Sequence, residues 1–204
     1  MRLVDADLAL DQIARPGGRR RPAVFLDRDG VLIENRPGFV RSSADIVVFG
    51  RAIEAVRRLN QAGLPAVVVT NQSAVGRGIL SLNDARRLHA LVVGKFSEAG
   101  ARLDASYMCP HRPDDGCLCR KPKPGMLVMA ADDLGIDLSQ TFIIGDACRD
   151  LEAGLAAGCR AVLVETGMGR SEMETCSIPR ESFEVADDIL DAVDRIILRQ
   201  RSWI

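Results

Sequence analysis

A doubly wound parallel α/β sheet is the fold class that this sequence predicts, and three observations carry the prediction. Short apolar runs rich in Val and Ile recur at 23–27, 65–70, 141–145 and 160–164. Strands buried on both faces read as continuous runs of this kind rather than as an alternation. Helical stretches separate the runs, and candidate chemical groups sit where the runs stop. Strands alternating with helices at this spacing build a parallel sheet covered on both faces.

The elements follow in chain order. Residues 1–22 form a weakly patterned extension containing Gly17-Gly18 and Arg19-Arg20-Arg21, and residues 23–204 read as one domain. The first strand, 23–27, runs out at Asp27-Arg28-Asp29-Gly30. A helix over 50–62 has Ile53, Val56 and Leu59 at helical spacing and stops at Gly63. The next, 81–99, opens on Ser81, a good N-cap, and ends before Gly100. Further helices are expected at 124–135, 148–158 and 187–198. The segment 109–123 breaks the rhythm with Cys, His, Pro and Lys, and irregular loops inside compact domains are usually functional.

Composition narrows the class. At 204 residues, 47% hydrophobic and 27% charged, the chain can bury a full core and is not disordered. A net charge of -1 gives no global attraction to nucleic acid or an anionic membrane, and the three arginines read as a solvated linker. No apolar run approaches a membrane span, and Asp5, Asp7 and Asp11 spoil the order of a signal peptide. The expectation is a cytoplasmic protein, whose cysteines then serve a purpose other than disulfides. Cys148, Cys159 and Cys176 are accordingly expected to be ordinary thiols.

Four pieces fall at strand ends or in the loops after them. These are Asp27/Asp29, Thr70-Asn71-Gln72-Ser73, Lys121, and Gly145-Asp146 with Asp150 close behind. Residues i and i+2 on a strand share a face, so Asp27 and Asp29 make a carboxylate pair at a strand's carboxyl end. Singly, each piece has a plainer explanation: a turn, a cap, a solvated charge. In this order, on consecutive strand ends, they resemble the four motifs of the haloacid dehalogenase-like phosphatases. The resemblance runs from about Ala23 to about Thr166.

The resemblance implies a Rossmann-like sheet of that family's type and a role for each residue. Asp27 would be the nucleophile, forming an aspartyl-phosphate, and Asp29 the general acid and then base. Thr70 and Lys121 would hold the transferring phosphoryl oxygens, and Asn71, Gln72 and Ser73 would line the substrate. Asp27, Asp146 and the backbone carbonyl of Asp29 would coordinate Mg²⁺. Asp150 reads as an acid in the first turn of a helix, with an outer position around the metal as the second reading. Asp27 and Thr70 are too close in sequence to admit an inserted cap domain, which implies a capless monomer.

Cys109-Pro-His111 and Cys117-Leu-Cys119 offer three thiolates and an imidazole, a donor set for a tetrahedral structural Zn²⁺. The pairs are tighter than C-x₂-C, so reactive thiols or a disulfide stand as alternatives. This loop narrows the resemblance to the branch of heptose bisphosphate and histidinol-phosphate phosphatases. In that branch Arg120 and the loop from Glu34 to Val40, including Arg36 and Val40, would contact the substrate. The implied ligand is a small phosphorylated sugar, with the 7-phosphate of heptose 1,7-bisphosphate removed and heptose 1-phosphate left for nucleotide-sugar synthesis. Histidinol phosphate is the alternative, since a short gap between His111 and Cys117 also suits that group. Ala147 also stands where some heptose enzymes carry a lysine. A non-catalytic phosphosugar binder ranks below both, because it has no need of two adjacent carboxylates.

Overall fold

The computed structural model describes residues 2–3 and 20–201. Seven strands form one parallel sheet: β1 Arg2–Leu3, β2 Val24–Leu26, β3 Ala66–Asn71, β4 Ala105–Cys109, β5 Phe142–Gly145, β6 Arg160–Val164 and β7 Phe183–Ala186. Their order across the sheet is β1-β4-β3-β2-β5-β6-β7. From β2 the chain builds outward through β3 and β4, and from β5 it builds the other way. The reversal lies between β2 and β5, where Phe25 pairs with Ile143 and Leu26 with Ile144. Open parallel sheets bind ligands at the carboxyl ends beside such a switch point.

Alternation within each strand divides the core in two. Val24, Leu26, Val68, Ile144, Val162 and Val164 pack on one face against the helix α1 (Gly50–Gln61) and against Leu88, Val92 and Phe96 of α3 (Leu82–Glu98). Phe25, Val67, Val69, Ile143, Ala161 and Leu163 pack on the other face. That face is covered by α4 (Gly125–Leu134) and α5 (Cys148–Ala157). Successive side chains therefore enter different cores, which is why the strands read as unbroken apolar runs.

The expected strands and helices recur with ends shifted by one or two residues, except near the C-terminus. There a turn at Ile189–Asp191 leads into a π-helical stretch at Ala192–Ile197 and a last turn at Leu198–Arg201. Residues 2–3 of the extension are the edge strand beside β4, while most of residues 1–22 and the final 202–204 lie outside the described residues. Strands β4 and β7 and the helices α2 (Ser73–Gly76) and α6 (Gly169–Thr175) were not foreseen. No cap domain interrupts the chain between β2 and β3. Among the described residues no helix is long and apolar enough to cross a membrane.

One cysteine expectation fails. Cys148 and Cys176 are not separate thiols but a disulfide, because the start of α5 and the end of α6 are neighbours in space though 28 residues apart in sequence. Cys159 is a buried free thiol, as expected.

Candidate active site

Side chains at the ends of β2, β3 and β5 meet at the switch point. Carboxylate oxygens of Asp27, Asp146 and Asp150 lie within 4.8 Å of one another, all three residues buried. Lys121 reaches into them: its Nζ donates to Asp27 Oδ1 at 2.9 Å and to the Val69 carbonyl at 2.7 Å. It is also 2.7 Å from Asp150 Oδ1, an ion pair out of line for a hydrogen bond. Burial works against the Lys121 charge, but Asp150 and Asp27 outweigh it and the pKa rises. The ammonium therefore stays charged at neutral pH.

Asp146 is differently placed. Its Oδ2 accepts the Met168 N–H at 2.9 Å, while Oδ1 is buried with no partner among the described residues. Burial, reinforced by repulsion from Asp27, pushes this carboxyl up to about 8. An unpaired buried oxygen beside two further carboxylates fits a hard divalent cation. Backbone makes the room: a Cβ on Gly30 would stand 2.0 Å from Asp146 Oδ2, and one on Gly167 2.1 Å. Both glycines also have positive φ, +88° and +60°, where other residues are strained.

Asp29 leaves the cluster. Its carboxylate takes Gln72 Nε2 at 2.9 Å and a two-pronged contact from buried Arg28 at 3.1 Å. Its carboxylate is therefore not among the oxygens that converge as a candidate cation site. Gln72 also donates to Thr70 Oγ1 at 2.9 Å, so Thr70, 1% exposed, stands behind Gln72 with its own hydroxyl proton still to give. Asn71 turns out to position Lys121: it accepts the Lys121 N–H at 3.1 Å and donates to the Lys121 carbonyl at 3.0 Å. Asp150 is buried, an ion-pair partner of Lys121 as well as the acceptor of the Ala147 N–H at 3.2 Å. It thus stands beside the other two carboxylates as well as in the first turn of its helix.

A cavity of about 340 Å³ opens onto this cluster. Asp27, Asp29, Asn71, Gln72, Ser73, Arg120, Lys121, Arg36 and Val40 all line it. Three more cations do so that the sequence reading passed over: Arg28, Arg77 and Arg149. Arg149 sits within Asp146-Ala147-Cys148-Arg149-Asp150, so its nearness to a candidate catalytic carboxylate was a usable signal. At the mouth Phe39 has φ +76°, the left-handed region, and the chain beyond it leads into a turn closed by Asp45. That turn is tight: Asp45 Oδ2 accepts Arg41 N–H, Ser42 N–H and the Ser42 hydroxyl at 2.8–3.0 Å.

The Cys/His loop begins at the end of β4, beside Thr70 and Asn71 in register. Sulfurs of Cys109, Cys117 and Cys119 stand 3.3–3.7 Å apart, and His111 Nδ1 is 3.5 and 3.3 Å from Cys109 and Cys119. A tetrahedral zinc with Zn–S of ~2.3 Å separates its thiolates by about 3.8 Å, so these four donors fit one ion with little adjustment. Hydrogen bonding from Cys119 holds the Cys109 thiol down at about 5 despite burial. All four donors face inward, which leaves no position for substrate. The loop instead delivers Arg120, whose Nη1 donates to the His111 carbonyl at 3.1 Å, and then Lys121.

Comparison with known proteins agrees with this geometry. Residues 118–192 match the HAD-hydrolase-like family. A D-glycero-beta-D-manno-heptose-1,7-bisphosphate 7-phosphatase of Bordetella bronchiseptica is 36% identical over 174 residues, 85% of this chain and 97% of the relative. One of Pseudomonas aeruginosa is 38% identical over 179 residues, 88% and 99%. The crystal structure of the D,D-heptose 1,7-bisphosphate phosphatase of B. bronchiseptica, complexed with magnesium and phosphate, superposes with a TM-score of 0.82. It is 35% identical and covers 87% of this chain and 99% of its own. The chain therefore belongs to the HAD-like hydrolases, in the branch of the heptose-1,7-bisphosphate 7-phosphatases.

Proposed function

We propose that the chain hydrolyses the 7-phosphate of D-glycero-D-manno-heptose 1,7-bisphosphate through a phospho-aspartate at Asp27. The observation that carries the reading is the convergence of Asp27, Asp146, Asp150 and Lys121 at the floor of a cation-walled cavity. Related phosphatases named for this substrate, over nearly their whole length, supply the sugar. They favour heptose over histidinol phosphate, and a phosphatase over a mere binder.

Asp27, its Oδ1 oriented by Lys121, attacks phosphorus. The bond from phosphorus to the sugar oxygen breaks, and protonated Asp29 gives that oxygen its proton. Gln72 and Arg28 hold Asp29 in place for this transfer. The carboxylate left on Asp29 then takes a proton from water, which attacks phosphorus and frees Asp27 and inorganic phosphate. Lys121 and the Thr70 hydroxyl offset charge on the phosphoryl oxygens. Mg²⁺, held by Asp27, Asp146 and the Asp29 carbonyl, would lessen repulsion between the nucleophile and the dianionic phosphate. Arg120, with Arg77 and Arg149 on the same wall, suits the second phosphate of the substrate.

The test is phosphate release with Mg²⁺ from both anomers of heptose 1,7-bisphosphate and from histidinol phosphate, compared by kcat/KM. The expected result is a preference for a heptose anomer, the β form being the one the two named relatives act on. Preference for histidinol phosphate would overturn the substrate. No turnover of any phosphomonoester would overturn the chemistry.

A further inference from the structure

The disulfide joins the two segments that hold Asp146. Cys148 opens α5, two residues after Asp146, and Cys176 closes α6. The segment entering α6 touches the carboxylate site repeatedly. Thr166 Oγ1 donates to the Gly30 carbonyl at 2.7 Å, Gly167 abuts Asp146, and the Met168 N–H binds Asp146 Oδ2. Yet α6 is thinly attached. Of its seven residues only Gly169 is buried. Besides the disulfide, the α5 terminus binds it through the Cys148 N–H and the Glu172 carboxylate at 2.8 Å. Both bonded cysteines are half-buried and open to a small reagent, unlike Cys159.

We propose that Cys148–Cys176 is a redox-active pair that exchanges with low-molecular-weight disulfides and thiols, and that its state sets how firmly the 166–176 segment holds Asp146. In oxidation one cysteine thiolate attacks a small disulfide RSSR, forming a mixed disulfide and releasing one thiolate. The second cysteine then attacks the protein-side sulfur and expels the other. The protein loses two thiols, and RSSR becomes two RSH. Excess thiol drives the same steps backward. In reducing compartments disulfides are typically transient and sensing rather than permanent. With the bond open, α6 is left with its few remaining contacts, the Met168 N–H leaves Asp146 more often, and the carboxylate loses its fixed aim at the cation position.

The activity readout rests on the phosphatase reading, whereas the other two readouts do not. The zinc-replete, full-length protein is equilibrated in oxidised or reduced glutathione buffers. Alkylation after denaturation should then mark four of the six cysteines when oxidised and all six when reduced. Amide hydrogen exchange across 166–176 should quicken about tenfold on reduction, as for a segment whose local opening becomes easier. The Mg²⁺ concentration for half-maximal phosphatase activity should rise several-fold. Cys176→Ser and Cys148→Ser should show the exchange rate and Mg²⁺ requirement of the reduced protein in either buffer. Six alkylated cysteines in the oxidising buffer would overturn the proposal, as would identical exchange in both. An exchange shift with an unchanged Mg²⁺ requirement would leave a tether without a link to Asp146 and so defeat the proposed coupling. An exchange shift in a protein without phosphatase activity would sustain the hold on 166–176 and count against the phosphatase reading instead.

Discussion

The two clusters able to hold metal are built by opposite means. Asp27 and Asp146 follow the ends of β2 and β5, and Asp150 lies in the first turn of α5, all on elements buried in the main core. The sheet aims them, and their mutual repulsion is tolerated because Lys121 stands among them. The cysteines and His111 are carried mostly by a loop whose regular structure is one 3-10 turn at Pro113–Asp115, with Leu118 half exposed. That loop has little core of its own, so its shape depends on the donors converging on an ion. A site fixed by scaffold can lose its cation and keep its fold. One fixed by metal cannot.

Experiments can break or sharpen this contrast. The largest effect is expected at the scaffolded site: Asp27→Asn should lower kcat by at least ~10³-fold, as loss of a nucleophile does. Its melting temperature should hold or rise, because one of three crowded carboxylates becomes neutral. Steady-state rates and calorimetry check both halves, and a lowered melting temperature would show that the carboxylate is also structural.

Cys117→Ser should act on both properties at once, removing zinc, lowering the melting temperature and cutting activity ~10- to 100-fold. The measurements are zinc content, thermal unfolding and kcat/KM. Loss of zinc and stability with the rate intact would mean that the Asn71 clamp alone positions Lys121.

A third effect comes from Asp146. Its carboxyl, ordinarily near 3.8, is raised to about 8 in the folded protein without metal. The native state thus keeps a proton that the unfolded state gives up, and stability from this group is complete below about pH 4 and lost as pH rises towards 8. Metal-free protein should melt at lower temperature at pH 8 than at pH 5, with Mg²⁺ restoring more at the higher pH. Equal Mg²⁺ stabilisation at both pH values, by calorimetry, would contradict this assignment.

The smallest effect lies at the cavity mouth. Phe39→Gly should raise stability by up to ~1 kcal/mol by removing an unfavourable left-handed side chain, while KM for the sugar bisphosphate rises. If denaturant unfolding shows Phe39→Gly to be less stable, the aromatic ring is held for packing rather than at some conformational expense.

Much of this was legible because it is local. Asp27, Asp29, Thr70 and Asp146 each follow or approach a strand end that apolar patterning reveals, Lys121 lies in the segment that breaks the rhythm, and the four Cys/His donors fall within eleven residues. What escaped depends on distant chain segments meeting. Cys148 and Cys176 carry no pairing signal in sequence, and the presumption of a reducing compartment pointed the other way. The grip of Asn71 on Lys121 exists only once the distant loop bearing Lys121 packs against it. β4, with Ser106 among its apolar residues, and β7, with Glu184, lack the unbroken run that marked the central strands.

One consequence of the buried cluster concerns which ions it admits. Three carboxylates set against the Lys121 ammonium and the nearby Arg149 guanidinium leave the buried floor of the cavity short of positive charge. A bound cation makes up that shortfall. With Asp146 raised to about 8, a proton occupies part of that deficit in the metal-free protein near neutrality. Magnesium uptake is therefore an ion exchange, divalent metal in and proton out, and the enzyme's grip on metal should report the acidity of its surroundings.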